Sequence, residues 1–236
     1  MTMATKAEDG AMDFIKAFSD PAAVAHYAEG PPRFVPGFDG LHRMTSVLLA
    51  EHAPSDARVL VLGAGGGLEL KALATAHPGW TFVGVDPAGA MLRQAERTLG
   101  PLMARVELVE GYIDDAPPGP FDAATCLLTL HFLSAAERER TVRAIHARLK
   151  PGAPFVAAHG SYPQDASRDL WLSRYAGFAV ASGADPEQAE MARNAVATAV
   201  NMMSPEDDLA ILCSAGFADA EPFFAAFTWR GWIGHA

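Results

Sequence analysis

Two stretches of the chain place chemically useful residues at a useful spacing. Residues 59–67 read Val-Leu-Val-Leu-Gly-Ala-Gly-Gly-Gly, an apolar run that stops at a glycine-rich turn. Asp86 closes a second apolar run, Trp80-Thr81-Phe82-Val83-Gly84-Val85, and lies 21 residues after Gly65. Glycines let backbone approach a ligand without Cβ interference, and in βαβ units an acid about 20 residues further on meets ribose hydroxyls. A carboxylate accepts two hydrogen bonds, so Asp86 can hold the 2′- and 3′-hydroxyls together. It also repels a 2′-phosphate, which disfavours NADP. The competing role is capping of a helix expected over Pro87–Leu99, with Pro87 at its first position. The two roles are compatible.

The glycine spacing excludes some ligands. The dinucleotide fingerprint needs a third glycine three positions after the second, where this chain has Leu68. The Gly-Lys-Ser/Thr ending of a P-loop is absent. A purely structural turn is the remaining alternative.

These residues need elements to hold them. Val59–Leu62 is too short and too β-branched for a helix and suits a buried parallel strand, whereas the apolar spacing from Leu68 to Leu73 is helical. Strands and helices are expected to alternate over 58–62, 67–77, 80–85, 87–99, 105–110, 121–128, 134–149 and 154–159, giving a parallel sheet with helices on both faces. Short helices are expected at Asp13–Phe18 and Pro21–Ala28, an extended proline-rich segment at Gly30–Gly37, and a helix at Leu41–His52. Residues 163–203 suggest two or three further helices, Pro205–Ala215 another, and Asp219–Phe224 with Thr228–Ile233 a terminal hairpin.

Composition sets the outer bounds. The 236 residues fit one α/β domain, half of them are hydrophobic, and no apolar stretch reaches the length of about 18 residues expected of a membrane span. Met1–Ala11 lacks the basic-then-apolar pattern of a signal peptide. Cys126 and Cys213 are expected to be buried free thiols in a reducing cytoplasm. A formal charge of −10 disfavours nucleic acid as a direct partner. Asp114-Asp115 lacks neighbouring His or Cys, so no metal site is expected.

Taken together, the motifs resemble the class I S-adenosylmethionine (SAM) methyltransferase family over most of residues 41–236. They are Gly63/Gly65/Gly67, Asp86, Gly111-Tyr112-Ile113, Phe121-Asp122, Leu149-Lys150-Pro151-Gly152 and Ala215-Gly216-Phe217. More narrowly, Arg33-Phe34-Val35-Pro36-Gly37-Phe38 and Leu128-Thr129-Leu130-His131-Phe132-Leu133 are similar to segments of the carboxy-S-adenosylmethionine synthase branch. The resemblance implies a Rossmann-like, seven-stranded, mostly parallel sheet with helices on both faces and a C-terminal antiparallel hairpin. It divides the single domain into a helical cap (1–52), a SAM-binding core (53–160), a helical insertion (161–203) and a C-terminal helix and hairpin (204–236).

The activity so implied is methyl transfer from SAM to a small-molecule acceptor. The alternatives are a synthase-like reaction of SAM with prephenate, a non-catalytic SAM-binding protein and, remotely, an NAD-dependent dehydrogenase. Ligands in such sheets lie beyond the strands' carboxyl ends. The cofactor-binding candidates are therefore Gly63, Ala64, Gly65, Asp86, Pro87, Met91, Gly111, Tyr112, Ile113 and Leu128, with Arg33 as a clamp for the SAM carboxylate. His131 is the candidate general base, because imidazole titrates near neutrality. His159, Tyr162 and Arg193 are candidate acceptor contacts. For each of these the plain alternative is packing or a surface ion pair. Trp171, Phe178, Trp229 and Trp232 could line an aromatic pocket or a homodimer face, with core packing as the default.

Two departures stand out. The family usually carries an acid two residues before the first glycine, to help hold the SAM ammonium. Here that residue is Val61, leaving Glu69 or carbonyls near Leu128 to compensate. Arg193 falls where the synthase has its carboxylate-binding arginine, yet Ala195-Val196-Ala197-Thr198-Ala199-Val200 replaces the polar sequence that follows it there.

Overall fold

A computed structural model describes Val24 and residues 27–236. The helices expected at Asp13–Phe18 and over most of Pro21–Ala28 lie outside the described residues. The runs rich in Val, Leu and Ala become β1 (Arg58–Leu62), β2 (Thr81–Asp86), β3 (Val106–Glu110), β4 (Ala123–Leu127) and β5 (Pro154–Gly160). Every residue of β4 and β5 is buried, as continuous apolar runs predict for strands covered on both faces. The chain ends in β6 (Ala218–Ala226) and β7 (Trp229–His235). The seven strands are ordered β3-β2-β1-β4-β5-β7-β6. The first five are parallel, and β7 is antiparallel to both β5 and β6. The expected sheet and hairpin are present.

Among the described residues, the α-helices are α1 (Gly30–Phe34), α2 (Phe38–Ala50), α3 (Leu68–Ala76), α4 (Gly89–Leu99), α5 (Ala135–His146), α6 (Arg168–Ala181), α7 (Pro186–Ala199) and α8 (Pro205–Ser214). Leu41 and Leu49 of α2, Leu70 and Leu73 of α3, and Leu92 and Ala95 of α4 pack on one sheet face. Val142 and Ile145 of α5 and Ile211 and Leu212 of α8 pack on the other. The strand order reverses between β1 and β4, and the crevice at such a switch point is where ligands bind in open α/β sheets.

Several boundaries differ from expectation. Gly30–Phe34 is helical, because Pro31 occupies the first turn, where its missing N–H costs nothing. The helix expected from Pro87 starts at Gly89. Ala88 keeps an extended backbone, and its N–H is drawn back to the Asp86 carboxylate. The fourth strand begins at Ala123 and α5 ends at His146, because the flanks pair with each other instead. Phe121 N–H donates to Arg148 O at 2.8 Å, and Lys150 N–H to Phe121 O at 2.9 Å. Cys126 is buried, but Cys213 is exposed on α8, contrary to the expectation for both thiols. No helix among the described residues is long and apolar enough to cross a membrane.

Candidate functional site

The glycine turn joins β1 to α3 through three left-handed residues, Gly63 (φ 79°), Gly65 (φ 49°) and Gly67 (φ 82°). It is stitched to the end of β2 by backbone and side chain alike. Gly63 and Ala64 N–H both donate to Val85 O, at 2.8 and 3.0 Å. Gly65 N–H donates to Asp86 Oδ2 at 2.9 Å, and Ala88 N–H to Asp86 Oδ1 at 2.9 Å. Asp86 therefore shapes the turn and still has lone pairs on both oxygens for hydroxyl donors. Burial raises its pKa, and the two N–H donors oppose that shift.

Gly63 is also held by sterics. A Cβ there would lie 1.9 Å from Thr129 Oγ1, on a backbone that L residues rarely adopt. Gly63→Ala is expected to destabilise the fold by about 2–4 kcal/mol, from strain plus overpacking, measurable by urea unfolding.

The next loops approach from either side. Gly111 N–H donates to Asp86 O at 3.1 Å, placing the end of β3 beside the acid. Tyr112 follows with its side chain exposed and its N–H on Asp115 Oδ2 at 2.8 Å. Ile113 instead packs into the core on the α5 side. Met91 is buried against Ala88 and Val24, so the chain at Val24 reaches the β2–α4 turn. Pro87, between Asp86 and Ala88, is half-buried.

Beyond β4, Leu128 takes a left-handed φ of 55° without being glycine, a strain of about 1–3 kcal/mol of the kind found at functional sites. Its N–H donates to Ala158 O at 2.5 Å. A single 3₁₀ turn, Leu130–Phe132, then carries His131. The ring is buried edge-on to Trp229, at 5.6 Å between centroids, and Gly160 N–H points to Nδ1 at 3.4 Å. Burial, helped by His159 and Arg138, holds its pKa well below the ordinary value, so the imidazole is neutral and a weaker base than a free histidine. Trp229 Nε1–H donates to Phe34 O at 2.8 Å, which fixes α1 and Arg33 on the same side. The Arg33 guanidinium is exposed and lies 3.4 Å from Glu29.

Sequence reasoning missed the network beneath this loop. Arg138 of α5 is buried and ion-paired with buried Asp208 of α8. It also donates to Leu130 O at 3.1 Å and to Asn201 O at 2.5 Å. His159 Nε2 lies 3.2 Å from the same Asp208 oxygen. One arginine thus ties the His131 turn to the segment before α8. The available signal was Arg138 itself, a charge in register with Thr141, Val142 and Ile145 on the buried face of α5.

The candidate acceptor contacts are enclosed or paired. His159 and Tyr162 are fully buried, and the Tyr162 hydroxyl has no hydrogen-bond partner among the described residues. Arg193 Nη1 is 2.6 Å from Glu190 on its own helix, while its buried Nε has no partner among the described residues.

Three buried histidines give a pH signature. His42, His131 and His159 all have lowered pKa values, chiefly through burial, and that of His42 falls to about 4. An unfolded histidine titrates near about 6.5 and takes up protons that the folded chain refuses. The stability these groups supply is complete above that pH and is lost on acidification. Glu69, raised to about 7, acts in the opposite sense as a single group. The thermal midpoint is expected to fall between pH 7 and pH 5, and a flat or rising profile in differential scanning calorimetry contradicts these burial assignments.

Among known proteins, residues 60–155 match the methyltransferase domain family. The carboxy-S-adenosyl-L-methionine synthase of Chromohalobacter salexigens is 29% identical over 191 residues, covering 78% of this chain and 71% of that protein. In structure, the chain is similar to an O-methyltransferase family protein from Burkholderia thailandensis (TM-score 0.67, 19% identity, 92% of this chain and 60% of the other). It is also similar to PigF solved with SAH (TM-score 0.67, 21% identity, 94% of this chain and 62% of the other). The chain thus spans 60–62% of the length of these solved structures.

Proposed function

We propose, from a chain that carries a SAM-dependent methyltransferase domain on the class I fold, that it transfers a methyl group from SAM to a small-molecule acceptor. The observation that carries this reading is the Asp86 carboxylate, held by Gly65 and Ala88 N–H groups at the end of β2. That geometry presents an acceptor pair to ribose hydroxyls beside a turn with no Cβ at Gly63, Gly65 or Gly67. Asp86 and the glycine turn would hold SAM there, and it would supply a sulfonium methyl group for in-line displacement, with S-adenosylhomocysteine as the leaving group.

The protein's part is alignment and exclusion of water. Leu128 and the His131 turn border the crevice between β1 and β4, and His131 is the group to take the acceptor's proton where one must leave, its lowered pKa restricting it to acceptors that give up that proton readily. In this reading the exposed Tyr112 ring covers the adenosyl group, and α1, tied through Trp229 to the side of His131, borders the reacting end. In this reading the enzyme is cytoplasmic, with a homodimer as its candidate assembly, and the formal charge of −10 speaks against nucleic acid as a direct partner.

Incubating the protein with SAM and a panel of small nucleophiles, and reading SAH formation by mass spectrometry, tests this. Acceptor-dependent SAH supports the reading. Binding without turnover across the panel favours a non-catalytic SAM-binding protein.

A second reading is favoured by the relatives named carboxy-SAM synthases and by Arg193, whose buried, unpartnered Nε suits a carboxylate. It predicts carboxylated SAM when prephenate is supplied. The Glu190 pairing of Arg193 and the apolar stretch after it place this reading second.

A further inference from the structure

Glu69 is a carboxylate in an unexpected place. It sits in the first turn of α3, two residues after Gly67, and only 7% of it is exposed. Burial raises its pKa to about 7, although the Thr125 hydroxyl lies beside it and lowers the value somewhat. Neither Glu69 Oε1 nor Thr125 Oγ1 has a hydrogen bond of normal geometry among the described residues, so two buried polar atoms are left unsatisfied side by side. The groups acting on the carboxyl are the Thr125 hydroxyl and the Cys126 thiol, both of β4, and no described cation is paired with it. Such orphaned groups are uncommon in native interiors and call for a partner.

Position indicates what that partner is. Thr125 is paired with Val61 on one side and Val156 on the other, so the orphan pair stands over the β1–β4 switch point. Asp86 ends β2, two strands away, which at about 4.8 Å per strand is roughly 10 Å. With the ribose on Asp86, an extended donor runs along the glycine turn and brings its amino-acid end toward β4. That end carries an ammonium, and β1 offers only Val61 to meet it. Asp208, another buried carboxylate, differs in having its charge matched, since its Oδ1 is paired with Arg138 and lies against His159.

We propose that Glu69 binds the α-ammonium of the donor, supplying from α3 the negative charge that β1 lacks. The assignment rests on the SAM reading above. Its signature is proton release. The carboxyl is partly protonated in the empty protein near neutrality, and a cation placed against it favours the ionised form. Binding therefore expels a proton, and affinity rises as the pH passes upward through about 7.

Calorimetric titrations in buffers of different ionisation enthalpy read this directly, with S-adenosylhomocysteine and 5′-methylthioadenosine as probes. The two share adenine and ribose, and only the first carries the ammonium. For the wild type at pH 6.5, S-adenosylhomocysteine should release a proton and methylthioadenosine should not. Glu69→Gln should abolish the release and weaken S-adenosylhomocysteine about tenfold or more, leaving methylthioadenosine within about twofold. The variant should stay folded, with a thermal midpoint at pH 8 no lower than the wild type, since a neutral amide need not be kept charged in the interior. Equal affinity and equal proton release in Glu69→Gln overturn the assignment alone. Failure of the wild type to bind either nucleoside overturns the donor-site reading, and the assignment falls with it.

Discussion

Asp208→Ala is expected to lower the stability of the protein by about 3–5 kcal/mol, because it leaves a buried guanidinium without its anion. Arg138 and Asp208 are 1% and 0% exposed, so neither charge can turn to water once the other is gone. Burial alone would raise the Asp208 pKa, but His159 and Arg138 hold it below the usual carboxylate value. The damage should reach the site. Arg138 also fixes Leu130 O and Asn201 O, so a displaced guanidinium loosens the turn that carries His131. Urea unfolding reads the stability change. A double variant, Arg138→Met with Asp208→Leu, should recover most of it, because replacing both charges leaves neither unpaired. If Asp208→Ala unfolds within about 1 kcal/mol of the wild type, the network is peripheral to the fold.

Asp86→Ala is expected to weaken SAM and S-adenosylhomocysteine by about a hundredfold or more. Two hydroxyl hydrogen bonds to a charged acceptor contribute about 1.5–3 kcal/mol each, and the Gly65 and Ala88 N–H groups lose their common partner as well. This variant separates the two roles that spacing alone left compatible. Capping of the β2–α4 turn by itself predicts a stability loss of about 1 kcal/mol with affinity nearly kept. Calorimetric affinity and denaturation midpoint, measured on the same preparation, decide between them.

The parts of this molecule written in local sequence were legible before the structure. The runs at 59–62, 82–85 and 123–127 are buried on both faces, and such strands show as largely apolar stretches regardless of their neighbours. The glycines at 63, 65 and 67 and the acid at 86 follow two adjacent parallel strands, so their spacing was enough to expect them at one crevice, whereas spacing alone does not give the hydrogen bond from Gly65 to Asp86. Long-range pairing was not legible. Arg138 and Asp208 are 70 residues apart and meet only because α5 and α8 share a sheet face. Likewise, nothing near Phe121 announces its bridge to Leu149, which shortens both β4 and α5 relative to their apolar patterns. Glu69 was legible as a residue, but its burial beside Thr125 was not.

On the reading proposed above, the crevice around Gly63–Gly67 and Asp86 takes the adenosyl group of SAM. Isothermal titration of the full chain with S-adenosylhomocysteine, and separately with NAD, tests it most directly. Saturable one-to-one binding of S-adenosylhomocysteine, lost in Asp86→Ala, is expected, with no heat from NAD. Absence of S-adenosylhomocysteine binding at millimolar concentration, or equal binding by wild type and Asp86→Ala, contradicts it.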